Sequence, residues 1–447
     1  MPAMGVIKDW IHERGIQEVE ALVPDMAGTA RGKFIPAERY NEDEGIRLAE
    51  MMFSQTVTGD YVEETNRVNP LDIDMRVLPD VDTLRIVPWA PEPTAQIIHD
   101  CFYANGKPVN IAPRQVLKRV VELFRKRGWQ PVVAPEIEFY LVKPNTDADY
   151  PLEPPIGRSG RQPSGRRLLS IDAVNEYEAI IEDIYDFGEA QDLHIETLMH
   201  EDGLAQLEVN FKHGDPLNLA DQVFLFKRTA REAAYRHGMY ATFMSKPHMN
   251  QPGSAMHLHQ SVVDKDTGRN IFSTSRGKPT RLFLNYIGGL QQYTPAAMSL
   301  FAPNVNSYRR IARYNAAPIN THWGYDNRTA GLRVPLATPE AMRVENRIPG
   351  SDANAYLAIA GSLAAGYLGI VERIKPEDPL TTDAYELPYG LPRDLLTALQ
   401  TLKDCKPMSK ILGEGFTELY RQVKETEYET YFHVISSWER EFLLLNV

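Results

Sequence analysis

The chain has 447 residues, of which 43% are hydrophobic and 24% charged; this balance is typical of a globular protein and excludes wholesale disorder. Its formal charge of −12 argues against nucleic-acid binding, because the phosphate backbone repels a negatively charged protein. The two cysteines, Cys101 and Cys405, cannot form a disulfide framework or a four-thiolate zinc site. We therefore expect a cytoplasmic protein with no nucleic-acid partner.

The sequence of residues 1–105 predicts a small unit that contains both helices and strands. The expected elements are a helix at Gly5–Arg14, a strand at Val19–Val23, a turn at Asp25–Gly28, a second strand, and a helix near Pro36–Met51. A Pro-rich stretch at 87–96, with the strand after it, indicates a domain border. The predicted domains are 1–105 and 106–447.

The remainder of the chain alternates irregularly between helices and strands. We predict a strand at Pro131–Val142 and helices at 115–127, 172–192, 216–238, 281–299 and 349–373, with a mostly helical C-terminus. The apolar run Tyr356–Val371 is shorter than the ~20 residues that span a bilayer, so it predicts a buried core helix and no membrane partner. Strands and helices without regular βαβ spacing predict the α+β class.

Residues 144–170 are rich in Pro, Gly, Ser and Arg, which predicts a mobile loop. Two interpretations remain open for it, a solvated surface loop and a cover over an active site.

Three β-prone segments carry polar residues at alternate positions, and residues two apart share one face of a strand. The sets that share a face are Glu136 with Glu138, Gln206 with Glu208 and Asn210, and His257 with His259 and Ser261. Glu201 precedes the second segment in a glycine-containing turn. Taken singly, the segments also fit half-exposed strands, or structural histidines in the third.

Their combination is more informative. If the strands are neighbours, the glutamates and histidines converge on one face. Two carboxylates ~5 Å apart repel by about 3 kcal/mol at an effective dielectric of ~20, so such a group requires cations. Oxygen-dominated ligand sets favour Mg²⁺ or Mn²⁺. The sequence therefore predicts a magnesium or manganese site with more than one ion.

An arginine-rich segment follows at 304–347. In Arg343-Val344-Glu345-Asn346-Arg347 the charged residues share one strand face. Guanidinium groups grip phosphate oxygens through a planar fork, and a carboxylate between them adds a metal ligand. A surface ion-pair network is the alternative. No P-loop or kinase glycine loop is present, so a bound nucleotide would use another architecture.

These motifs together resemble those of the glutamine synthetase family over nearly the full chain. They are PEIEFYL from Pro135, HEDGLAQLEVNF from His200, KPHMNQPGSAMHLHQS from Lys246, NVNSYRR from Asn304, NRTAGLR from Asn327 and RVENR from Arg343. The resemblance implies a small N-terminal β-grasp domain and a large catalytic domain whose antiparallel strands form an open funnel. It also implies a homo-oligomer, a dodecamer of two stacked hexamers, with each site completed by a neighbour's N-terminal domain.

The resemblance also implies roles for individual residues. One metal ion would be held by Glu138, Glu201 and Glu208, and a second by Glu136, His257 and Glu345. His259 and Ser261 would lie near ATP, while Arg310, Arg347 and Gly253 would bind glutamate. Arg328, Arg333 and Arg343 would stabilise the phosphates. Arg328, Arg310 and Glu345 form the expected catalytic set.

The implied reaction has two steps. The γ-carboxylate of glutamate attacks the γ-phosphate of ATP to give γ-glutamyl phosphate and ADP. An amine then displaces phosphate and forms an amide. Metal ions and arginines neutralise charge on the transferring phosphoryl group.

The sequence departs from a true glutamine synthetase at the ammonium site. In the segment Arg310–Pro318, Ala316 stands where that family has an ammonium-binding glutamate. The DGSS motif, whose aspartate also binds ammonium, is replaced near Met52–Val57. The segment Pro24–Lys33 also resembles glutamate–polyamine ligases. We therefore expect a larger primary amine, a polyamine with putrescine as first candidate, in polyamine breakdown.

Three alternatives stay open. The enzyme could use ammonium, as glutamine synthetase does, or a monoamine such as ethanolamine. It could also be a catalytically reduced nitrogen or polyamine sensor. Tyr385 lies near the position at which some bacterial relatives are adenylylated, although a packing role is the simpler interpretation.

Overall fold

The computed structural model describes residues 5–41, 43–62, 65, 67–68 and 71–447. Two sheets organise this part of the chain, and helices cover the second. The predicted helix at Gly5–Arg14 and strand at Val19–Val23 are confirmed as α1 (Val6–Glu13) and β1 (Glu18–Pro24).

The first sheet lies before residue 103. Its strands are β1, β2 (Ala30–Pro36), β3 (Ile46–Ala49), β4 (Asp74–Pro79), β5 (Arg85–Ile86) and β6 (Thr94–Phe102). Their order is β2-β1-β6-β4-β3, with β5 beside β6 and with β1 and β6 parallel. The turn predicted between β1 and β2 is present, because Asp25 Oδ1 accepts the N–H groups of Ala27 and Thr29 at 3.0 and 2.8 Å.

The helix predicted near Pro36–Met51 is wrong. That stretch holds a 3-10 turn at Ala37–Arg39, strand β3, and the start of a second 3-10 turn at Glu50–Ser54. Ile46 and Leu48 face Val77 and Met75 across the β3–β4 pair. Pairing with a distant strand overrides the local pattern here.

The second sheet carries the polar strands. Its members are β7 (Trp129–Val142), β8 (Ile195–His200), β9 (Gln206–Phe211), β10 (Tyr240–Thr242), β11 (Met256–Asp264), β12 (Trp323–Tyr325), β13 (Leu332–Val334) and β14 (Val344–Asn346). Their order is β12-β13-β14-β11-β7-β9-β8, with β10 beside β7. The sheet is not wholly antiparallel as expected, since β12 and β13 run parallel.

The remaining helices pack around this sheet. They are α2 (Pro113–Arg125), α3 (Ile171–Asn175), α4 (Glu178–Ala190), α5 (Pro216–Arg236), α6 (Arg281–Phe301), α7 (Ala355–Glu372), α8 (Leu395–Asp404), α9 (Lys406–Leu412), α10 (Glu414–Phe432) and α11 (Ser437–Leu443). The single helix predicted at 172–192 is wrong, because it breaks into α3 and α4 around Tyr177. The other long helices and the helical C-terminus are confirmed.

Helix α7 is the core of the molecule. By length and composition it could cross a membrane, but 83% of it is buried inside the protein, which confirms the predicted core helix. It packs against α6, and the two backbones approach so closely that a Cβ at Gly289 of α6 would lie 2.5 Å from the Cα of Gly369 in α7. Its N-cap Asn354 also donates to the Asp25 carbonyl at 2.9 Å, which ties the β1–β2 turn to the core.

No helix or strand forms in 143–170, in agreement with the predicted loop. Its mobility stays a prediction.

Candidate active site

Register brings the three polar segments together as predicted. In the antiparallel pairs, His257 faces Glu136 across β11–β7, and Glu138 faces Glu208 across β7–β9. Glu345 of β14 faces His259 of β11 and Arg333 of β13. Residues directly opposite one another lie on the same face, so the acidic and imidazole groups form one surface.

Two groups of side chains on this surface can hold a metal ion, each with ligand atoms within 4.8 Å of one another. The first is Glu136, His257 and Glu345, the set expected for one ion. The second is Glu138, Glu208 and His257, so His257 replaces Glu201 among the groups that converge. Glu201 lies close by and its carboxylate accepts the N–H of Asp202 at 3.0 Å.

The carboxylates at the Glu138 end of this surface are poorly compensated. Burial and the Glu201 carboxylate raise the pKa of Glu138. Burial raises the pKa of Glu208 as well, and Glu138 raises it further. Among the described residues, Glu138 accepts from neutral donors alone, the Ala255 N–H at 2.8 Å and the Gln206 amide at 3.2 Å. A divalent cation would relieve this excess of negative charge.

The carboxylates at the other end have cationic or imidazole partners. Burial opposes ionisation of Glu136, but hydrogen bonds from His257 and His259 outweigh it and lower its pKa. Arg347 similarly outweighs burial and lowers the pKa of Glu345 to about 2. Burial also lowers the pKa of His257 to about 4, which keeps it neutral and able to ligate a metal at neutral pH.

A cavity of about 530 Å³ opens beside this surface, within the size range of small-molecule sites. Four predicted residues line it, namely Glu136, His259, Ser261 and Arg343. His259 connects two of the others, because its Nε2 lies 2.8 Å from Glu136 Oε1 and its Nδ1 accepts from Arg343 Nε at 3.0 Å. These contacts hold the imidazole in one orientation at the cavity wall.

The predicted arginines occupy different environments. Arg310 is buried, and its guanidinium donates to the carbonyls of Ile348 and Arg347 at 2.7 and 3.0 Å. Arg333 binds Glu345 at 2.9 Å and Asp326. Arg347 donates to Glu345, and its buried Nε has no partner among the described residues.

Arg328 lies exposed between β12 and β13 and forms no ion pair or side-chain hydrogen bond with the acidic surface within the part of the chain that the structure describes.

Gly253 has a steric role beside Arg310. A Cβ at this position would lie 2.5 Å from Arg310 Cγ and 2.6 Å from the Ser245 carbonyl oxygen. Only glycine permits this approach.

The cavity is also lined by three residues for which the sequence predicted no role, Glu196, Asn210 and His213. Alternation placed Asn210 on the correct face, and its buried Oδ1 has no partner among the described residues. Glu196 had no such signal, because the register of β8 shifts between Ile195 and Thr197. An irregular strand defeats a period-two pattern.

Comparisons with known proteins assign the family. Residues 110–443 match the glutamine synthetase catalytic domain. The chain belongs to the glutamine synthetase family. It is 31% identical to a glutamate–isopropylamine ligase of a Pseudomonas species, over 97% of this chain and 96% of the relative. It is also 31% identical to the gamma-glutamylputrescine synthetase PuuA of Escherichia coli K12, over 96% and 92% of the two chains.

A further relative and a solved structure are also similar to this chain. The glutamine synthetase of Pyrococcus abyssi is 33% identical, over 94% of this chain and 92% of the relative. The solved structure of apo GmaS without ligand has a TM-score of 0.84 and 27% identity, covering 99% of this chain and 100% of its own. Family membership confirms the predicted enzyme class, an amide-forming carbon–nitrogen ligase of the glutamate–amine type.

Proposed function

We propose that this enzyme joins the γ-carboxylate of glutamate to a primary amine at the expense of ATP, through γ-glutamyl phosphate. The observation that carries the proposal is the uncompensated carboxylate surface beside the 530 Å³ cavity. Acidic ligands next to a cavity lined by His259, Ser261 and Arg343 suit a metal-bound nucleoside triphosphate.

The donor set fits two or more Mg²⁺ or Mn²⁺ ions. Glu136, His257 and Glu345 would hold one, and Glu138, Glu208 and Glu201 the other, with His257 in reach of both. Bound there, the ions would neutralise charge on the phosphoryl oxygens.

The arginines act on the substrates. Arg347, with its free Nε, and the buried Arg310 beside Gly253 bind the glutamate carboxylates in this proposal. Arg333 and Arg343 bind phosphate oxygens. Arg328 would need an inward movement of its loop to join them. Residues 144–170, tied to Asp202 through Arg166 at 3.1 Å, would keep water from the acyl phosphate.

We propose that the amine is a polyamine such as putrescine, and this choice of amine rests on Ala316. It supplies no carboxylate where ammonium-using relatives have one, and its loop is held by Arg313, which donates to the carbonyls of Tyr385 and Leu387. The putrescine-using relative supports a polyamine. The isopropylamine-using relative supports a monoamine, and the Pyrococcus enzyme supports ammonium, as second candidates.

A phosphate-release assay with ATP, glutamate and a panel of amines separates these candidates. We expect diamines and triamines to give a kcat/KM at least tenfold above that for ammonium. Equal or faster turnover with ammonium would exclude the polyamine assignment. No turnover with any amine would instead indicate a sensor.

Replacing Ala316 tests the register directly. Its φ of 58° is left-handed, so alanine already bears the cost of about 1 kcal/mol of a Cβ in this conformation. Ala316→Glu therefore adds a carboxylate with little new backbone strain, and we expect at least tenfold better use of ammonium. Ala316→Gly is the matched control, which should leave ammonium use unchanged; an equal gain in both variants would contradict the register.

We also propose the remaining family features for this chain. These are a division into domains 1–105 and 106–447, a β-grasp topology in the first sheet, and a dodecamer of two stacked hexamers. Two free cysteines support a cytoplasmic location. The buried ring of Tyr385, 6% exposed, supports a packing role over adenylylation.

A further inference from the structure

A second, smaller cavity lies apart from the nucleotide-sized one. It encloses about 190 Å³ and shares no lining residue with that cavity. One wall is the 159–167 stretch of the long loop. The opposite wall is made by Tyr177, between α3 and α4, and by His200 at the end of β8.

The lining of this pocket carries excess positive charge. Arg161 and Arg167 line it, and neither forms an ion pair within the described part of the chain. The neighbouring Arg158 does not line it and is neutralised by Glu178 at 2.7 Å. The lining also includes one carboxylate, Glu176, which accepts the Ser159 N–H at 3.1 Å. Both arginine side chains are exposed, and the hydrogen bond from Ser159 and the charge of Arg167 lower the pKa of Glu176. Two guanidinium groups against one carboxylate still leave a net positive charge, which favours an anion.

We propose that this pocket binds a phosphate group between Arg161 and Arg167. Its volume fits free phosphate or a small phosphate monoester, and each guanidinium fork matches two phosphate oxygens.

Occupancy would join the loop to the strand that leads to the acidic surface. His200, in the pocket wall, directly precedes Glu201, and its carbonyl accepts the Leu169 N–H at 3.0 Å. Between the two pocket arginines, Arg166 donates to Asp202 at 3.1 Å. A bound phosphate therefore orders the loop beside the active site.

Hydrogen exchange of the full-length enzyme, without nucleotide, tests this proposal. The probe is inorganic phosphate, titrated in the millimolar range, with peptides covering 157–170 and 256–264 followed separately. We expect phosphate to slow exchange in 157–170 in the wild type. Peptides of β11 report any phosphate in the nucleotide-sized cavity and keep the two sites distinguishable.

Variants decide whether the pocket is responsible. Arg161→Ala with Arg167→Ala should weaken the phosphate concentration dependence at least tenfold. Arg158→Ala, in the same loop, should behave as wild type. No protection of 157–170 in the wild type, or protection unchanged in the double variant, would overturn the proposal.

A parallel titration with glycerol phosphate identifies the source of the phosphate group. Tighter binding of this monoester supports the pocket and indicates a small metabolite, whereas tighter binding of inorganic phosphate supports it and indicates the free ion. If neither ligand binds, the pocket is not a phosphate site.

Discussion

Two buried clusters of charge in this protein differ in how completely their members are paired. One is centred on Arg114 in α2, which donates to Asp221 at 3.0 and 2.8 Å, to Asp100 at 2.8 Å and to Asp80 at 2.7 Å. Tyr356 adds a hydrogen bond to Asp221 at 2.6 Å. Each nitrogen of the Arg114 guanidinium donates to an aspartate, and the cluster links the first sheet to helices α2, α5 and α7.

The other cluster is the acidic surface of β7, β9 and β11. Glu138 and Glu208 face each other there with raised pKa values and no ion pair to an arginine or lysine within the described residues. Burial of charged groups alone therefore does not mark a functional site. A structural cluster satisfies its own charges, whereas a metal site leaves a surplus that a cation must satisfy.

The largest expected effect is on the acidic surface. Glu138→Ala removes a proposed metal ligand, and we expect turnover to fall by about 10³-fold or more, since transition-state charge loses its electrostatic support. In the wild type, Mn²⁺ at 100 times its Kd should stabilise the fold by about 2.7 kcal/mol. Thermal unfolding with and without Mn²⁺ should show this gain lost in the variant.

Glu13→Ala is the control for this change. Glu13 is exposed and paired with Arg14 at 3.5 Å, so its loss should affect neither turnover nor the Mn²⁺ response. A Glu138→Ala enzyme that still gains stability from Mn²⁺ would remove the metal assignment.

The acidic surface was predictable because strand geometry is strict. A period of two placed Glu136 with Glu138 and His257 with His259, and antiparallel pairing then brought the pairs together. The Arg114 cluster gave no comparable pattern in the sequence. Its acids are Asp80, which directly follows β4, Asp100 in β6 and Asp221 in α5, and only the tertiary fold brings them to one guanidinium.

Loops and short elements account for most of what the sequence did not predict. Arg328 matched a family motif, but a motif does not state where its loop lies, and the side chain is exposed. The expected helix near Pro36–Met51 failed because β3 pairs with β4, a contact between distant residues. Glu196 was missed at a shift of strand register.

The second prediction concerns a variant that disrupts the Arg114 cluster. Arg114→Met leaves buried aspartates without their cation, and we expect a loss of about 3–5 kcal/mol in the free energy of unfolding. Because none of these residues belongs to the groups that could hold a metal ion among the described residues, the stabilisation by Mn²⁺ should be unchanged in any variant that folds. Urea unfolding with and without Mn²⁺ measures both quantities.

Arg125→Met serves as the matched control, because Arg125 is exposed and its pair with Asp215 is long, at 3.4 Å. Its cost should stay below about 1 kcal/mol. A similarly small cost for Arg114→Met would end the structural interpretation of this cluster.

The last prediction concerns pH, and one carboxylate from each cluster, Glu208 and Asp100, should respond with opposite sign. The raised pKa of Glu208 means that the folded state binds its proton more tightly than the unfolded state does. Its contribution to stability is present below the unfolded pKa and is lost as pH rises toward the folded pKa. Without divalent metal, Glu208→Gln should therefore gain stability over the wild type progressively as pH rises above ~4.5.

Asp100 shows the reverse behaviour. Burial opposes its ionisation, but Arg114 and Lys118 outweigh it and lower the pKa. Its contribution is present above the unfolded pKa and is lost as pH falls through the folded value, so Asp100→Asn should cost most near neutral pH and least in acid. Urea midpoints from pH 3 to 8 with a chelator present measure both variants. Equal pH slopes in the two would show that the acidic surface is as well compensated as the Arg114 cluster, and the surplus charge proposed for the metal site would then be absent.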